Sequence, residues 1–375
     1  MKGVRTWIEV DKKALEHNLK EFLKIISPKT KMMAVVKSNA YGHGLVQVSS
    51  FLSSNESFKR RGWFGVDSVV EALRLRQEGI QNQILVLGST LSSRLAEAAE
   101  KNVAITISNF ESLRFLEKAK GKPAFHIKID TGMHRQGFLP PETSKLIKTL
   151  KNFKLAPQGI YTHFASAKDI AYPTYTLEQY KKFNDAALEF RNSGFTNLIR
   201  HASASGGTLL FPQTHANLVR IGMGLYGYFP SLESKTQRGE EVLLKPVLSW
   251  RTLISEIKKI PKGSYVGYDL TERVGKDTRT AILPIGYWHG YDRGLSGIGE
   301  TLVRGKRAKV LGRVSMDMIV VDVTNIPGAK IGDEVVLIGK QGQETIGADE
   351  LALKIGTTQY EFLTRINPLI KKLVV

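Results

Sequence analysis

The sequence predicts a two-domain protein of the α/β plus all-β class. An N-terminal (β/α)8 barrel of the TIM type is followed by a smaller C-terminal domain of β-strands. Three observations carry this. The chain has 375 residues, more than one ordinary core accommodates. Through the first two-thirds, eight short apolar or β-branched runs recur, most followed by a helical pattern. After about Ser231 short strands take over, divided by Pro-Lys-Gly, Gly-Lys and Pro-Gly turns.

Thr6–Val10 reads as a strand that precedes the first barrel unit and pairs with the C-terminal domain. The barrel runs are Met32–Val36, Trp63–Val66, Ile84–Leu87, Val103–Ile107, Phe125–Ile129, Gly159–Phe164, Leu198–Ala202 and Leu218–Leu225. Near-continuous apolar strands alternating with helices argue for a parallel sheet covered on both faces. Asp67 to Arg74 offers a helix N-cap, a capping-box glutamate at Glu71 and apolar residues at helical spacing. Asn109 opens another helix, and Leu177–Phe190 forms a longer one. Eight such units over roughly 220 residues fit a closed barrel. An open doubly wound sheet is the alternative, but no Gly-x-Gly-x-x-Gly turn follows the first strand. Ser231–Glu241 is polar and charged, as in a linker. The strands beyond it are Val247–Ile257, Thr280–Pro284, Ala308–Leu311, Met318–Val323 and Glu334–Ile338. The expected division is a barrel over residues 12–235 and a β domain over 236–375, joined by strand 1–11.

Composition narrows the function classes. Apolar content of 42% with 24% charged residues is that of a water-soluble globular protein. No stretch has signal-peptide or membrane-span character, so a cytoplasmic protein is expected. The absence of cysteine excludes disulfides, zinc–thiolate sites and thiol nucleophiles, and no metal site is expected. The net charge of +19 raises nucleic-acid binding. Its basic residues are spread along the chain, without a recognition motif or interleaved aromatics, which argues against that. A positive field of this kind serves solubility and attracts anionic ligands such as phosphate.

The candidate chemistry falls at strand ends, where a barrel of this type gathers its catalytic groups. Lys37 follows the run Met32–Val36 and opens Lys-Ser-Asn-Ala-Tyr-Gly-His-Gly. A lysine at the end of a buried strand is a candidate for covalent attachment to an aldehyde, because neutral amines attack carbonyls. Taken alone, it also fits a strand cap reaching into solvent. Arg135 follows the fifth run, and His163 lies in the sixth. Ser205-Gly206-Gly207 follows the seventh, and Arg220-Ile221-Gly222-Met223-Gly224 lies at the eighth. Small residues after the last two strands make a phosphate cradle, since backbone N–H groups approach an anion where no side chain intervenes. Singly, His163 also reads as a core histidine, Arg135 as a solvated loop residue and Gly206-Gly207 as an ordinary turn.

The stretch from Ala34 to His43 resembles the cofactor-lysine signature of alanine racemases, which are pyridoxal-phosphate enzymes. The resemblance extends along nearly the whole chain. It runs from Thr6-Trp7 through Lys37, Arg135, His163, Ser205 and Arg220 into Val266-Gly267-Tyr268, Pro284-Ile285-Gly286-Tyr287, Gly312 to Asp317 and Gln359-Tyr360-Glu361. It implies a homodimer with shared active sites that interconverts L- and D-alanine, a small-molecule substrate, to supply D-alanine for peptidoglycan. Lys37 would hold pyridoxal 5′-phosphate and act as one acid/base, and Tyr268 of the other subunit as the second. Tyr41, Ser205, Gly222, Met223 and Tyr360 would hold the phosphate. Arg220 would face the pyridine nitrogen, Arg135 the phenolic oxygen, and His163 would lie near the ring. Arg135 and Met316 would also touch substrate, Met316 through its backbone amide. Lys128, in the strand Phe125–Ile129, would be carbamylated and support Arg135; the alternative is an unmodified Lys128 paired with an acidic neighbour such as Asp130, or a bound chloride in the carbamate's place.

Two bases on opposite faces suffice for racemisation, which removes a proton from one side of a carbon and delivers one to the other. A tyrosine, with an ordinary pKa near ~10, needs neighbouring cations or hydrogen bonds to serve as a base at neutral pH. Three positions depart from the family pattern. Ala204 stands where many members have Asn, Ser315 where cysteine is common, and Trp288-His289 where a small residue and Asp are usual. The last bears on substrate range, so a serine or broad-range racemase of the same fold is the alternative.

Overall fold

The computed structural model describes residues 3–375; the first two residues of the expected strand segment 1–11 lie outside the described residues. The chain divides into two compact units. One comprises Lys13–Ala40 and Val48–Lys245; the other comprises the residues up to Lys12, Tyr41–Gln47 and Pro246–Val375.

In the second unit the chain opens with β1 (Thr6–Val10). The first unit then contributes β2 (Lys31–Val35), β3 (Gly62–Val66), β4 (Gln83–Val86), β5 (Ile105–Ile107), β6 (Phe125–Lys128), β7 (Gly159–Tyr161), β8 (Ile199–His201) and β9 (Leu218–Ile221). These eight strands coincide with the eight apolar runs. All pair in parallel, in the orders β4-β3-β2-β9 and β5-β6-β7-β8. A bridge from Leu85 to Ala104 joins β4 to β5. On the other side, Asn217 N–H donates to Arg200 O and Arg220 N–H to Ser203 O, each at 3.0 Å, so β8 meets β9 and the ring closes into a barrel. Met33, Trp63, Leu85, Ala104 and Leu218 form an apolar cluster within the unit.

The capping residues act largely as the sequence indicates. Asn109 accepts the Ser112 N–H at 2.8 Å and opens Phe110–Lys118. Ser68 caps Val69–Gln77 by accepting the Glu71 N–H. Glu71 does not complete a capping box: its carboxylate takes the N–H groups of Ser38 and Asp67 instead. Ser231–Glu241 is not a linker. Ser231 and Ser234 cap each other's backbone across the first turn of a helix, Leu232–Arg238, so this polar stretch is a surface helix. Asn18 and Glu21 receive the N–H groups of Lys245 and Leu243, which ties the chain after that helix to the barrel unit.

The further strands of the second unit are β10 (Leu248–Leu253), β11 (Glu256–Ile260), β12 (Tyr265–Val266), β13 (Glu272–Arg273), β14 (Thr278–Leu283), β15 (Glu300–Val303), β16 (Lys306–Leu311), β17 (Ile319–Asp322), β18 (Glu334–Gln341), β19 (Glu344–Ile346) and β20 (Lys371–Val374). The unit is built on one long sheet, β11-β14-β17-β16-β15-β18-β10-β1-β20, with β19 paired to β18, while β12 and β13 pair separately. The expected run Val247–Ile257 splits at Ile254-Ser255 into β10 and β11. β1 is antiparallel to β10 and parallel to β20, with Trp7, Ile8 and Val10 buried. Arg251 lies between Glu9, at 2.7 Å, and Glu334, which ties the adjacent strands β18, β10 and β1 together. Helices Ala348–Lys354 and Gln359–Thr364 make the unit less purely β than expected.

Candidate active site

The barrel positions Lys37 just beyond β2. Val36 N–H donates to Gly65 O at 2.8 Å, and the buried Tyr226 hydroxyl donates to Val35 O at 2.9 Å. From Ser38 the backbone winds left-handed, with φ of 55, 56, 52 and 51° at Ser38, Asn39, Ala40 and Tyr41. Such a turn costs residues with a side chain roughly 1–2 kcal/mol each, so it persists only where its surroundings hold it. The Lys37 amine lies 3.3 Å from Asp67 Oδ1, and its side chain keeps 36% of its exposure.

Arg220 projects from β9 into a polar half of the barrel interior. Nη2 donates to Thr162 O and Ala202 O at 2.8 Å and to His163 Nδ1 at 3.2 Å; Nη1 donates to His201 Nδ1 at 2.9 Å. The guanidinium also lies over the Tyr161 ring, which stacks on His201. Burial pushes the Arg220 pKa down to about 10, which leaves it charged at neutral pH. Burial, then the positive charge of Arg220 and Arg135, holds His163 well below the ordinary histidine value, so the ring is neutral and accepts from Arg220.

Between Lys128 and Arg135 the chain wraps around Asp130. Its Oδ1 accepts the N–H groups of Gly132, Met133 and His134, and its Oδ2 that of Arg135, all at 2.9–3.0 Å. Burial alone would raise the Asp130 pKa, but these four donors outweigh it and hold the carboxyl below its usual range. With that carboxylate engaged, Lys128 donates to Gln136 Oε1 at 3.0 Å rather than pairing with Asp130. Burial, then Arg135 and Arg220, pushes the Lys128 amine down to about 8. Lys128, Arg135 and His163 line one small cleft.

Ser205 and the Gly222–Gly224 turn meet at the ends of the last two strands. Ser205 Oγ accepts the N–H of Gly222 at 3.0 Å and of Gly224 at 3.3 Å. Close approach demands the small residues: a Cβ at Gly206 would lie 2.1 Å from Ala167 O, and one at Gly224 would lie 2.3 Å from the Phe22 ring. Ala204, at the N-cap of Ser205–Leu210, contributes no side-chain hydrogen bond.

In the other unit, the Tyr41 and Tyr360 rings meet edge to face at 6.3 Å, and burial, then Tyr41, raises the Tyr360 pKa. Tyr268 follows Gly267, whose φ is 76°, and is 68% exposed. Met316 is exposed too, and its carbonyl accepts the Trp288 N–H at 3.0 Å. His289 is buried, with Nδ1 accepting the Gly286 N–H at 3.2 Å.

Sequence reasoning passed over His126, His201 and Asp67. The two histidines interrupt apolar strands, which is a visible signal, but their meaning depends on pairing across β6, β7 and β8.

The family model of the alanine racemase N-terminal domain matches residues 10–230, and that of the alanine racemase C-terminal domain matches residues 247–374. The chain belongs to the alanine racemase family. It is 39% identical to alanine racemase of Leptospira interrogans over 99% of this chain and 96% of that one. It is 38% identical to alanine racemase of Methanococcus maripaludis over 96% of each. Among solved structures, alanine racemase of Clostridium difficile superposes with a TM-score of 0.92 at 29% identity, covering 100% of this chain and 97% of that one. Alanine racemase from Bacillus anthracis with bound L-Ala-P gives 0.89 at 33% identity, covering 99% and 95%. These relatives favour an isomerase of the alanine racemase type over the serine or broad-range alternative.

The barrel residues fit the family's cofactor chemically. An amine that can bond an aldehyde, a buried guanidinium and a turn of small residues closed around Ser205 stand at the strand ends of one barrel. Among the described residues, no cluster of His, Asp and Glu could hold a metal ion, and no helix is long and apolar enough to cross a membrane.

Proposed function

We propose that this member of the alanine racemase family interconverts L- and D-alanine in the cytoplasm with pyridoxal 5′-phosphate, as a homodimer supplying D-alanine for peptidoglycan. The reading is carried by the joint placement of Lys37, Arg220 and the Ser205–Gly222 cradle at the strand ends of one barrel, on a chain matched along both family halves.

When bound, the cofactor supplies the electron sink that makes the α-proton of the amino acid removable. The protein does the rest. Lys37 would hold the cofactor covalently and, as a free amine, would move a proton at the α-carbon from one face. The partner subunit's Tyr268 would serve the opposite face, and its exposure on a single chain accords with a role outside its own protomer. Ser205, Gly222, Met223, Tyr41 and Tyr360 would hold the phosphate. Arg220, fixed by two backbone carbonyls and two neutral imidazoles, has only donors to offer the pyridine nitrogen. It would therefore disfavour ring protonation and restrain side reactions. Arg135 would take the phenolic oxygen, and its backbone is anchored by Asp130. Arg135 and the partner subunit's Met316 would contact substrate, and a carbamylated Lys128 would steady Arg135. In this assignment Lys13–Ala40 with Val48–Lys245 form the cofactor domain, and Tyr41–Gln47 and Pro246–Val375 with strand β1 form the β domain.

The test is a racemisation assay on L-alanine, L-serine and larger amino acids, with and without added pyridoxal phosphate. Cofactor-dependent turnover with alanine preferred is expected. Preference for another amino acid, or turnover independent of the cofactor, would overturn the reading.

A further inference from the structure

Glu71 joins two loops with one carboxylate. Its Oε1 accepts the Ser38 N–H and its Oε2 the Asp67 N–H, each at 2.7 Å. Ser38 opens the left-handed turn that follows Lys37, and Asp67 follows the end of β3. Asp67 then turns its own Oδ1 to the Lys37 amine, 3.3 Å away. Glu71 occupies the third position of a helix whose N-cap is Ser68, where a capping box would point its carboxylate at the Ser68 N–H. That helix start goes without this contact while two neighbouring loops gain one each.

The turn requires such help. Ser38, Asn39 and Ala40 all have side chains and all sit in the left-handed region, where L-residues remain only when the surroundings over-determine them. A carboxylate suits the task because both oxygens accept. A glutamine in the same place would offer one oxygen and would turn its NH2 on the other N–H.

We propose that Glu71 is a positioning residue for Lys37. One carboxylate fixes both the turn that carries the lysine and the loop that brings Asp67 to its amine. Glu71 acts through Ser38 and Asp67 and does not itself touch substrate. The inference rests on Lys37 being the cofactor lysine, and the experiment separates the two.

Wild-type protein, Glu71→Gln, Glu71→Asp and Asp67→Asn are stripped of cofactor and mixed with pyridoxal phosphate. The absorbance of the lysine adduct, formed as the amine adds to the aldehyde and water leaves, is followed in time. The adduct is then reduced with borohydride and mapped, and a thermal melt checks that each variant is folded. Glu71→Gln should form the adduct at least tenfold more slowly than wild type, with the label still on Lys37. Asp67→Asn, which keeps both clamped N–H groups, should slow it less. Glu71→Asp, one methylene shorter, should fall between Gln and wild type, and it decides the matter if Glu71→Gln does not fold. Wild-type rates in the folded Glu71 variants, with the label on Lys37, would overturn the positioning role alone. A label on another lysine in the wild type would overturn the Lys37 reading and the inference with it.

Discussion

Arg220 donates through Nη1 to Nδ1 of His201 at 2.9 Å, and that bond fixes the protons of two buried imidazoles. A guanidinium has no acceptor, so His201 presents a bare Nδ1 and carries its proton on Nε2. It passes that proton to His126 Nδ1 at 2.8 Å, and His126 donates from Nε2 to Gln158 Oε1 at 3.3 Å. Gly159 makes the room, since a Cβ there would lie 2.5 Å from the His126 ring. The chain runs in one direction only while both rings stay neutral.

Stability should therefore fall on mild acidification. Burial, opposed in part by Gln158, lowers His126 to about 4, and burial with Arg220 lowers His201 well below the ordinary value of 6.5. In the unfolded chain both rings protonate near pH ~6.5, while the folded ones do not. The unfolded state then binds more protons, so stability is full above about pH 6.5 and is lost as pH falls toward about 4. His126 alone accounts for a loss on the order of 3 kcal/mol across that window. Urea unfolding at a series of pH values checks this. Unchanged stability between pH 7 and pH 5 would contradict the neutral chain.

Removing the acceptor should expose Arg220. His201→Leu leaves Nη1 without its partner in a buried site, at an expected loss of about 2–3 kcal/mol, together with reduced turnover. His201→Asn can return an acceptor oxygen and should recover part of both. Equal effects of Leu and Asn would show that packing, not the hydrogen bond, matters there.

The sequence made the barrel legible because most of its strands are buried on both faces and read as apolar runs; β8, with Arg200 exposed, is the exception. The surface helix Leu232–Arg238 was hidden by its polarity, although Ser231 and Ser234 already carried the cap. Helices Ala348–Lys354 and Gln359–Thr364 lie in a stretch whose tight turns and short strands dominate the pattern. At the site, Lys37 announces itself at the end of β2, and small residues mark the cradle. His126 and His201 do not, because they are 75 residues apart and acquire meaning only when β6 and β8 flank β7. Glu71 fits a cap motif on paper, and only the left-handed turn at Ser38 shows where its carboxylate goes.

Lys128 should take up carbon dioxide. Burial, then Arg135 and Arg220, holds its amine at about 8, so roughly a tenth of it is neutral at pH 7. Addition of carbon dioxide releases a proton and leaves a carbamate anion, to which the Gln136 amide and the Arg135 guanidinium can donate. Carbon-13-labelled carbon dioxide should give a carbamate resonance that Lys128→Met abolishes. A bare amine under the same conditions would contradict the modification.

Composite sites should show themselves by complementation. Lys37→Ala and Tyr268→Phe, each inactive alone, should regain activity when their subunits are exchanged, because one site of each mixed dimer holds both intact groups. No recovery after demonstrated exchange would exclude a shared site.

Every role assigned around the cofactor depends on Lys37 bonding it. Borohydride reduction of the active protein followed by peptide mapping tests it most directly. A single labelled peptide is expected, containing Lys37 and the Ser-Asn-Ala-Tyr sequence that follows it. A label on any other lysine would contradict it.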